Sequence, residues 1–522
     1  MEVVMRRFRY LHLAMLTLSG LCLNSAYASD TLHTLSDSEM SAATGQSLFS
    51  LSYLAPTDGG NLATDMSGNK NIGFYRFGME AELQLNANIK NLQLGCGGVN
   101  GAGVCDIDIK NLSLSGLNDS EVATGNNTGS PVFSNGRAAT SAKLTNPFME
   151  LAIKNPHSAA TREVVGFRLS AESMEGLLSA GLDNGTSPST TDGIQSLSGY
   201  LQVASTSGHV YTKPATFGKA LTSAEIALGN CLPQSGGLCQ ALGGKVKTLL
   251  GDRYFRSLPA DSTTKGITVP SLKVDFNLPA FTINGTRKSQ AIAENVSASI
   301  PWLPIAAPSS CPTAYAAACA TANTQINSGI FANDLLYVLL TKNGNTTTWP
   351  ADCVRLIGCL VGNAKFGMAA GSAVTDLNID ITFKQSLSMF HNIPLKGTGG
   401  YLSSQSQDLR WPGANSDDIA QRGWWLSFAQ PVELGYLEPQ NQVDVSAVLP
   451  QVANYVTEAL LAGAAIDVSG LGDTFTALTN NVLSKQLVID VSSSPAAQLT
   501  LENQQLRSQH LVANCYGGLK FC

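Results

Sequence analysis

Apolar and polar residues alternate strictly from Tyr75 to Ile89. Tyr75, Phe77, Met79, Ala81, Leu83, Leu85, Ala87 and Ile89 are apolar, and mainly Arg76, Glu80, Glu82, Gln84, Asn86 and Asn88 separate them. A period of two over this length predicts one β-strand with a dry face and a wet face. At ~3.3 Å per residue such a strand runs about 50 Å, well beyond the usual length. The dry face is expected to be core, because exposed apolar strips of that size are rare on soluble proteins. After a Gly-rich loop, Ile107 and Ile109 resume the alternation. Ile89-Lys90-Asn91-Leu92-Gln93-Leu94 is then nearly repeated by Ile109-Lys110-Asn111-Leu112-Ser113-Leu114. In both, the apolar phase slips by one residue at the Lys-Asn step, which turns side chains to the other face and suggests a bulge or a corner. A hairpin and two successive flanks of a β-solenoid both fit this repeat.

Shorter strand-like runs follow at Leu151 to Ile153, Val165 to Ala171, Leu197 to Val203, Val274 to Ile283 and Leu377 to Phe383. They are rich in Ser, Thr and Asn and bounded by Gly and Pro. Helical periodicity is scarce. Ser36 to Gly45 carries a capping box, with Ser36 at the N-cap, Glu39 three residues on and Gly45 as the stop. Glu172 to Ala180 is a second short candidate. The longest, Val448 to Ala464, places Val452, Val456, Leu460 and Leu461 on one face and Pro450 in the first turn. The expected class is mainly β: a long twisted antiparallel sheet or β-sandwich with disulfide-stapled loops and a few short helices, or alternatively a β-solenoid. The expected organisation is a signal peptide over 1–28, β-rich regions over 29–302 and 331–522, and an irregular excursion over 303–330. The Ser/Thr/Gly-rich stretch 181–194 is a further linker candidate, and the whole mature chain is also compatible with one domain.

Arg6, Arg7 and Arg9 precede a mostly apolar run from Leu11 to Leu23, and Ala26-Tyr27-Ala28 supplies small residues at −3 and −1. This is the pattern of an export signal, cleaved before Ser29. Cys22 follows Leu21 where a lipobox wants a small residue, so it is expected to leave with the signal. The other ten cysteines fall in pairs: Cys96/Cys105, Cys231/Cys239, Cys311/Cys319, Cys353/Cys359 and Cys515/Cys522. Partners are six to nine residues apart, and the shortest gap between pairs, Cys319 to Cys353, is 34. An even count in an exported chain implies disulfides, and this clustering predicts five local bridges that pin hairpin tips and loops. A bridge between Cys96 and Cys105 favours the hairpin over the solenoid. Metal binding would want Cys-x-x-Cys knuckles or neighbouring histidines, and only His510 lies near a pair.

The 522 residues are 44% hydrophobic and 13% charged, enough to fill a core, and too little charge for a disordered chain. A net charge of −6 is a poor footprint for nucleic acid. No apolar run after residue 28 approaches the ~20 residues of a membrane-spanning helix. An outer-membrane barrel would need repeated ~10-residue strands and aromatic girdles, for which 7% aromatics are few. His-Glu-x-x-His, a P-loop, Gly-x-Ser-x-Gly and a dinucleotide fingerprint are all missing, and no catalytic residues are assigned. Asp106 and Asp108 could start a calcium site but lack further acidic ligands. The distinctive cluster is Arg410-Trp411-Pro412-Gly413 with Arg422-Gly423-Trp424-Trp425-Leu426-Ser427-Phe428. Adjacent Trp424 and Trp425 point to opposite faces of a strand, so one is expected in the core and the other partly exposed. Trp411, Trp424 and Trp425 are the candidate contacts for a ligand or partner chain.

Leu35 to Gln46, LSDSEMSAATGQ, resembles the Asp-x-Glu-Leu-Ser-x-x-Thr-Gly-Gln opening of Gram-negative envelope proteins of the Fil type, which are pilus-associated. Met40 and Ala43 depart from its commonest form. Gly95 to Gly103, Lys143 to Phe148 and the Trp segments are similar to proteins labelled "heme utilization protein". The export signal, the Ser/Thr/Asn/Gly-rich β chain, the stapled loops and the missing catalytic motifs, together with this resemblance, lead to the expectation of an exported, non-catalytic envelope or surface protein, part of a filamentous or adhesive assembly, with other envelope proteins as partners. The alternative is a carrier of an apolar ligand or heme in the periplasm or at the surface. No catalytic residue comes with the resemblance, no Cys-x-x-Cys-His or evident axial ligand supports heme, and no cofactor is assigned.

Overall fold

A computed structural model describes mainly residues 48–66, 71–117, 140–217, 271–304, 373–397, 400–462, 466–473 and 482–509, together with short backbone segments between them. Among the described residues 55% are strand and 8% helical. The class is mainly β, built from large mixed sheets.

The first sheet starts with β1 (Phe49–Leu54), β2 (Ile72–Met79), β3 (Glu82–Leu85), β4 (Ala87–Leu94) and β5 (Ile107–Ser115). It continues with β6 (Ala142–Lys154), β7 (Glu163–Ala180) and β8 (Ile194–Val203). The second sheet is built on β9 (Thr206–Tyr211) and β10 (Lys273–Leu278), while β11 (Phe281–Lys288) returns to the first. Then come β12 (Gln290–Pro304), β13 (Ala373–Ser386), β14 (Asn392–Leu395), β15 (Tyr401–Gln405), β16 (Gly423–Val432), β17 (Val488–Asp490) and β18 (Ala497–Glu502). The first sheet runs β1-β2-β6-β7-β15-β16-β8-β5-β4, with β3 on β6, β14 on β7 and β11 on β8. A further β5–β7 pairing closes the circuit β7-β15-β16-β8-β5 upon itself. The second runs β9-β10-β12-β13-β17, with β18 on β13. Most pairs are antiparallel as expected, and both sheets also contain parallel pairs, among them β8–β16 and β13–β18.

The fifteen-residue strand expected from Tyr75 to Ile89 is broken twice. Gly78 pairs with Phe148 but Glu82 with Thr145, so four steps on one strand face three on the other. That one-residue bulge lies opposite Asn146, whose backbone is left-handed at φ 47° and whose N–H donates to the Ala81 carbonyl. A bulge reverses the facing of everything beyond it. Tyr75 and Phe77 therefore oppose Leu151 and Met149, whereas Leu83 and Leu85 oppose Leu144 and Ala142. At Asn86 the chain leaves β6, and β4 pairs with β5 instead. Nor is the odd-numbered face core: Phe77, Leu83, Leu85 and Ile89 are all exposed. The β4–β5 hairpin crosses the bonded Cys96–Cys105 loop, with Asn111 left-handed at the repeated Lys-Asn step. Cys231, Cys239, Cys311, Cys319, Cys353, Cys359, Cys515 and Cys522 lie outside the described residues, as do the signal segment and the Ser36–Gly45 helix.

Glu172 to Ala180, a helix candidate in the sequence, is the second half of the eighteen-residue strand β7. Ladders on both edges override its local preference: Glu175 pairs with Lys143, and Ser179 with both Ser113 and Asn392. Gly176 is required there, because a Cβ would meet the Cβ of Ala142 at 2.6 Å. The stretch 181–194 joins β7 to β8, which follow one another along the same edge of β5. Asp192 folds this loop down, accepting the N–H groups of Leu182 and Asp183 at 2.7 and 2.6 Å. The regions 29–302 and 331–522 interleave, since β14, β15 and β16 complete the first sheet while β9, β10 and β12 pair in the second with β13. Beyond Pro304 the 303–330 excursion lies outside the described residues.

The larger core lies between the sheets. Ile107, Ile109, Leu197 and Leu201 of the first meet Val274, Phe276, Ile379, Ile381 and Phe383 of the second, and Leu499 and Leu501 close one side. A fourteen-residue helix, α1 (Leu449–Ala462), carries Pro450 in its first turn and buries Val452 and Val456 in the same core. A second core gathers Ile72, Phe74, Val165, Tyr200, Tyr401, Trp411 and Trp425 on the inner side of the β2-β6-β7-β15-β16 segment.

Candidate functional site

That segment has its polarity reversed. On its inner face Trp411 and Trp425 are both 0% exposed, and charged side chains are buried with them. Asp418 accepts three hydrogen bonds, from Tyr401 Oη at 2.9 Å, Trp425 Nε1 at 3.1 Å and Ser427 Oγ at 2.6 Å. Burial nevertheless outweighs these donors and raises the Asp418 carboxyl above its ordinary range; burial also lifts the Tyr401 phenol. Beside it Arg168 Nε donates to Glu150 at 2.6 Å, and Arg76 Nε reaches the other oxygen of Glu150 at 3.3 Å. Arg168 also donates to the Pro412 carbonyl at 2.8 Å, and its guanidinium lies 5.2 Å from the Trp411 ring centroid and 5.5 Å from that of Tyr401. Desolvation lowers its pKa, and Glu150 opposes that shift. These charges are consumed in holding the sheet together.

The outer face is the opposite. Cross-strand register aligns Leu51 with Phe77, Phe77 with Met149, Met149 with Leu169, Leu169 with Leu402, and Leu402 with Leu426. The neighbouring row is Tyr53, Tyr75, Leu151, Phe167, Ser404 and Trp424. No charged residue stands in either row across six strands. Leu51 is 76% exposed, and Phe49, Tyr53, Phe77, Met149, Val164 and Leu169 are also exposed. At the other end Leu402, Leu426 and Trp424 pack against the larger core, so the exposed apolar part of the face spans β1, β2, β6 and β7, a surface that soluble monomers rarely present.

At the ends of β7, β15 and β16, beside the Cys96–Cys105 loop, a groove of about 440 Å³ opens. Phe167 and Trp424, edge to face with ring centroids 5.8 Å apart, share it with Val164 and Ser404, and Gly95, Gly98 and Val99 of the disulfide loop border it. Asp106 fixes that loop: its carboxylate accepts from Arg287 Nε at 3.0 Å, Asn100 Nδ2 at 2.9 Å and the Trp424 N–H at 3.0 Å. Gly95 and Gly423 have positive φ, and a Cβ on either would collide with that carboxylate.

The three tryptophans thus separate into two roles. Trp411 and Trp425 are buried and structural, whereas Trp424 is half-buried, packs against the larger core and lines the groove. Asp106 is committed to Arg287, and Asp108 accepts from Gln93 at 3.2 Å, so the pair is not a shared calcium site. Among the described residues no cluster of three or more potential metal ligands occurs, and no helix is long and apolar enough to cross a membrane. Sequence reasoning missed the Asp418 network, whose members lie close in sequence but at no telling spacing, and the Arg168–Glu150 network, whose members are scattered along the chain. It also missed β1, although Phe49, Leu51 and Tyr53 alternate with Ser50 and Ser52. No family model, curated protein or solved structure matches the chain.

Proposed function

We propose that this chain is an exported, non-catalytic cell-envelope or surface protein of the kind its N-terminal motif resembles, and that it works by association through its uncharged sheet face. The observation that carries this reading is the exposed, charge-free part of the two rows from β1 to β7, backed by a layer that spends its buried charges on itself. An association surface needs apolar area and a firm scaffold, and both are supplied here. The signal-like first 28 residues and the paired cysteines support export. Fractionation of the native host, with mass spectrometry of material co-purified with the full chain, tests the reading. Envelope location with co-purifying envelope proteins or further copies of the chain is expected; a cytoplasmic chain recovered alone contradicts it.

The groove beside Trp424 favours a second reading, a carrier of a small apolar ligand. Its floor is aromatic and its volume suits part of a lipid chain or ring system. Saturable quenching of tryptophan fluorescence by a fatty acid or heme, abolished in Trp424→Ala, would promote this reading over the first.

A further inference from the structure

We propose that the groove beside the Cys96–Cys105 loop binds a neutral mono- or disaccharide. The inference goes beyond the association reading and gives the groove a ligand class of its own. At about 440 Å³ the groove falls within the size range of small-molecule sites, ~300–1,000 Å³. Its wall is built before any ligand arrives. Arg287 Nη2 donates to the Gly101 carbonyl at 3.0 Å, Arg422 Nη2 to the Val99 carbonyl at 3.0 Å, and Asn100 Nδ2 to the Arg422 carbonyl at 2.9 Å. Together with the Cys96–Cys105 bond these ties hold the loop in place, so little ordering remains for a ligand to impose.

The lining selects the ligand. β15 lies between β7 and β16, and its Ser404 pairs with Phe167 on one side and Trp424 on the other. The two rings stand at 87° to each other, a corner in which the C–H side of a sugar ring can lie against an aromatic face. Polar groups in the same lining lack protein partners. Among the described residues Trp424 Nε1 and Ser404 Oγ bond to no protein group, and Oε1 of Gln405, a residue 4% exposed, is buried without a donor. A purely apolar ligand would cover such groups and strand them, which is costly. Sugar hydroxyls both donate and accept, so one ring can serve the indole N–H and the serine hydroxyl while its C–H side packs. A charged ligand fits no better. Asp106 is the one charged residue among the described lining; it is 1% exposed and committed to Arg287, Asn100 and the Trp424 N–H. No free charge remains there to pair with a carboxylate or phosphate.

The test is isothermal titration of the mature full-length chain with glucose, galactose, mannose, N-acetylglucosamine and cellobiose. At least one should saturate, with Kd on the order of 1 mM. Trp424→Ala should abolish that binding. Ser404→Ala should weaken it about fivefold, the loss of one hydrogen bond, and leave an apolar probe, dodecanol, bound no more weakly. The serine variant removes a single oxygen, so it keeps the test decisive if circular dichroism shows that Trp424→Ala fails to fold. Failure of all five sugars to saturate by about 50 mM overturns the proposal, as does a sugar whose affinity both substitutions leave unchanged. Saturable dodecanol binding without any sugar binding also overturns it and returns the groove to the apolar-carrier reading. The association reading is tested separately, by fractionation and co-purification, and no outcome here decides it.

Discussion

Replacing Asp418 by alanine removes one acceptor from three buried donors at once. Tyr401 Oη, Trp425 Nε1 and Ser427 Oγ all point at this carboxylate, and their residues are all buried. A buried donor stripped of its partner costs about 1–3 kcal/mol. The two hydroxyls can reorient toward other acceptors and the indole cannot, so the total should be about 3–6 kcal/mol rather than three full penalties. Against a typical stability of ~5–15 kcal/mol, that is a large fraction. The assay is urea denaturation followed by tryptophan emission, since Trp411 and Trp425 are both fully buried beside the lesion. The midpoint should fall with little change in slope. Asp418→Asn, which keeps an acceptor oxygen, should lose less. A loss below about 1 kcal/mol for Asp418→Ala would refute the claim that this carboxylate organises the inner face.

The same residue carries a pH signature. Burial raises its folded pKa above the unfolded value near 3.8, so the folded state holds the extra proton between the two values. Its favourable contribution is therefore present below the unfolded pKa and is lost as pH rises through the folded one. Melting curves should show the stability difference between wild type and Asp418→Asn shrinking as pH rises through that window; a difference that grows would contradict the sign. Glu150→Ala strands the buried Arg168 without its carboxylate and should cost about 3–5 kcal/mol in chemical denaturation, far more than an exposed carboxylate would. Removing the Cys96–Cys105 bond by double serine substitution should cost about 2.5 kcal/mol from loop entropy. It should also loosen the Trp424 groove, read as faster hydrogen exchange at Gly95 to Val99. Non-reducing peptide mapping should find the other four cysteine pairs bonded locally, and long-range links would defeat that expectation.

The β class was legible because period-two alternation and Gly/Pro punctuation are local signals. The Trp424–Trp425 reading followed from the same period, as did the long helix from its Val452–Val456 spacing. What alternation cannot convey is which face turns inward. Tyr75 to Ile89 reads as one dry strip, but the bulge at Glu80–Ala81 depends on Asn146, sixty-five residues further on. Burial of that strip was expected on the grounds that large exposed apolar faces are uncommon. Instead the inner side is occupied by Trp411 and Trp425 with the ion pair of Arg168, Tyr75 and Phe77 are turned outward, and Leu83 and Leu85 beyond the bulge are exposed as well. Glu172 to Ala180 resembles a helix in isolation because its strand character is supplied by partners at Lys143, Ser113 and Asn392. Asp418, Tyr401 and Ser427 lie within a short stretch of chain, yet nothing in their spacing reveals that one carboxylate serves all three donors.

The most direct test of the central claim is cysteine accessibility at Leu169→Cys, in the middle of the uncharged face, compared between intact host cells and dilute purified protein. If the face is the working surface, a membrane-impermeant or outer-membrane-permeant maleimide should label the dilute monomer readily and the protein in its native envelope at least tenfold more slowly. An exposed control at Ser52→Cys, on the other side of β1, should label at similar rates in both. Equal labelling of Leu169→Cys in the two settings would mean that nothing covers the face in the cell, and the association account would be wrong.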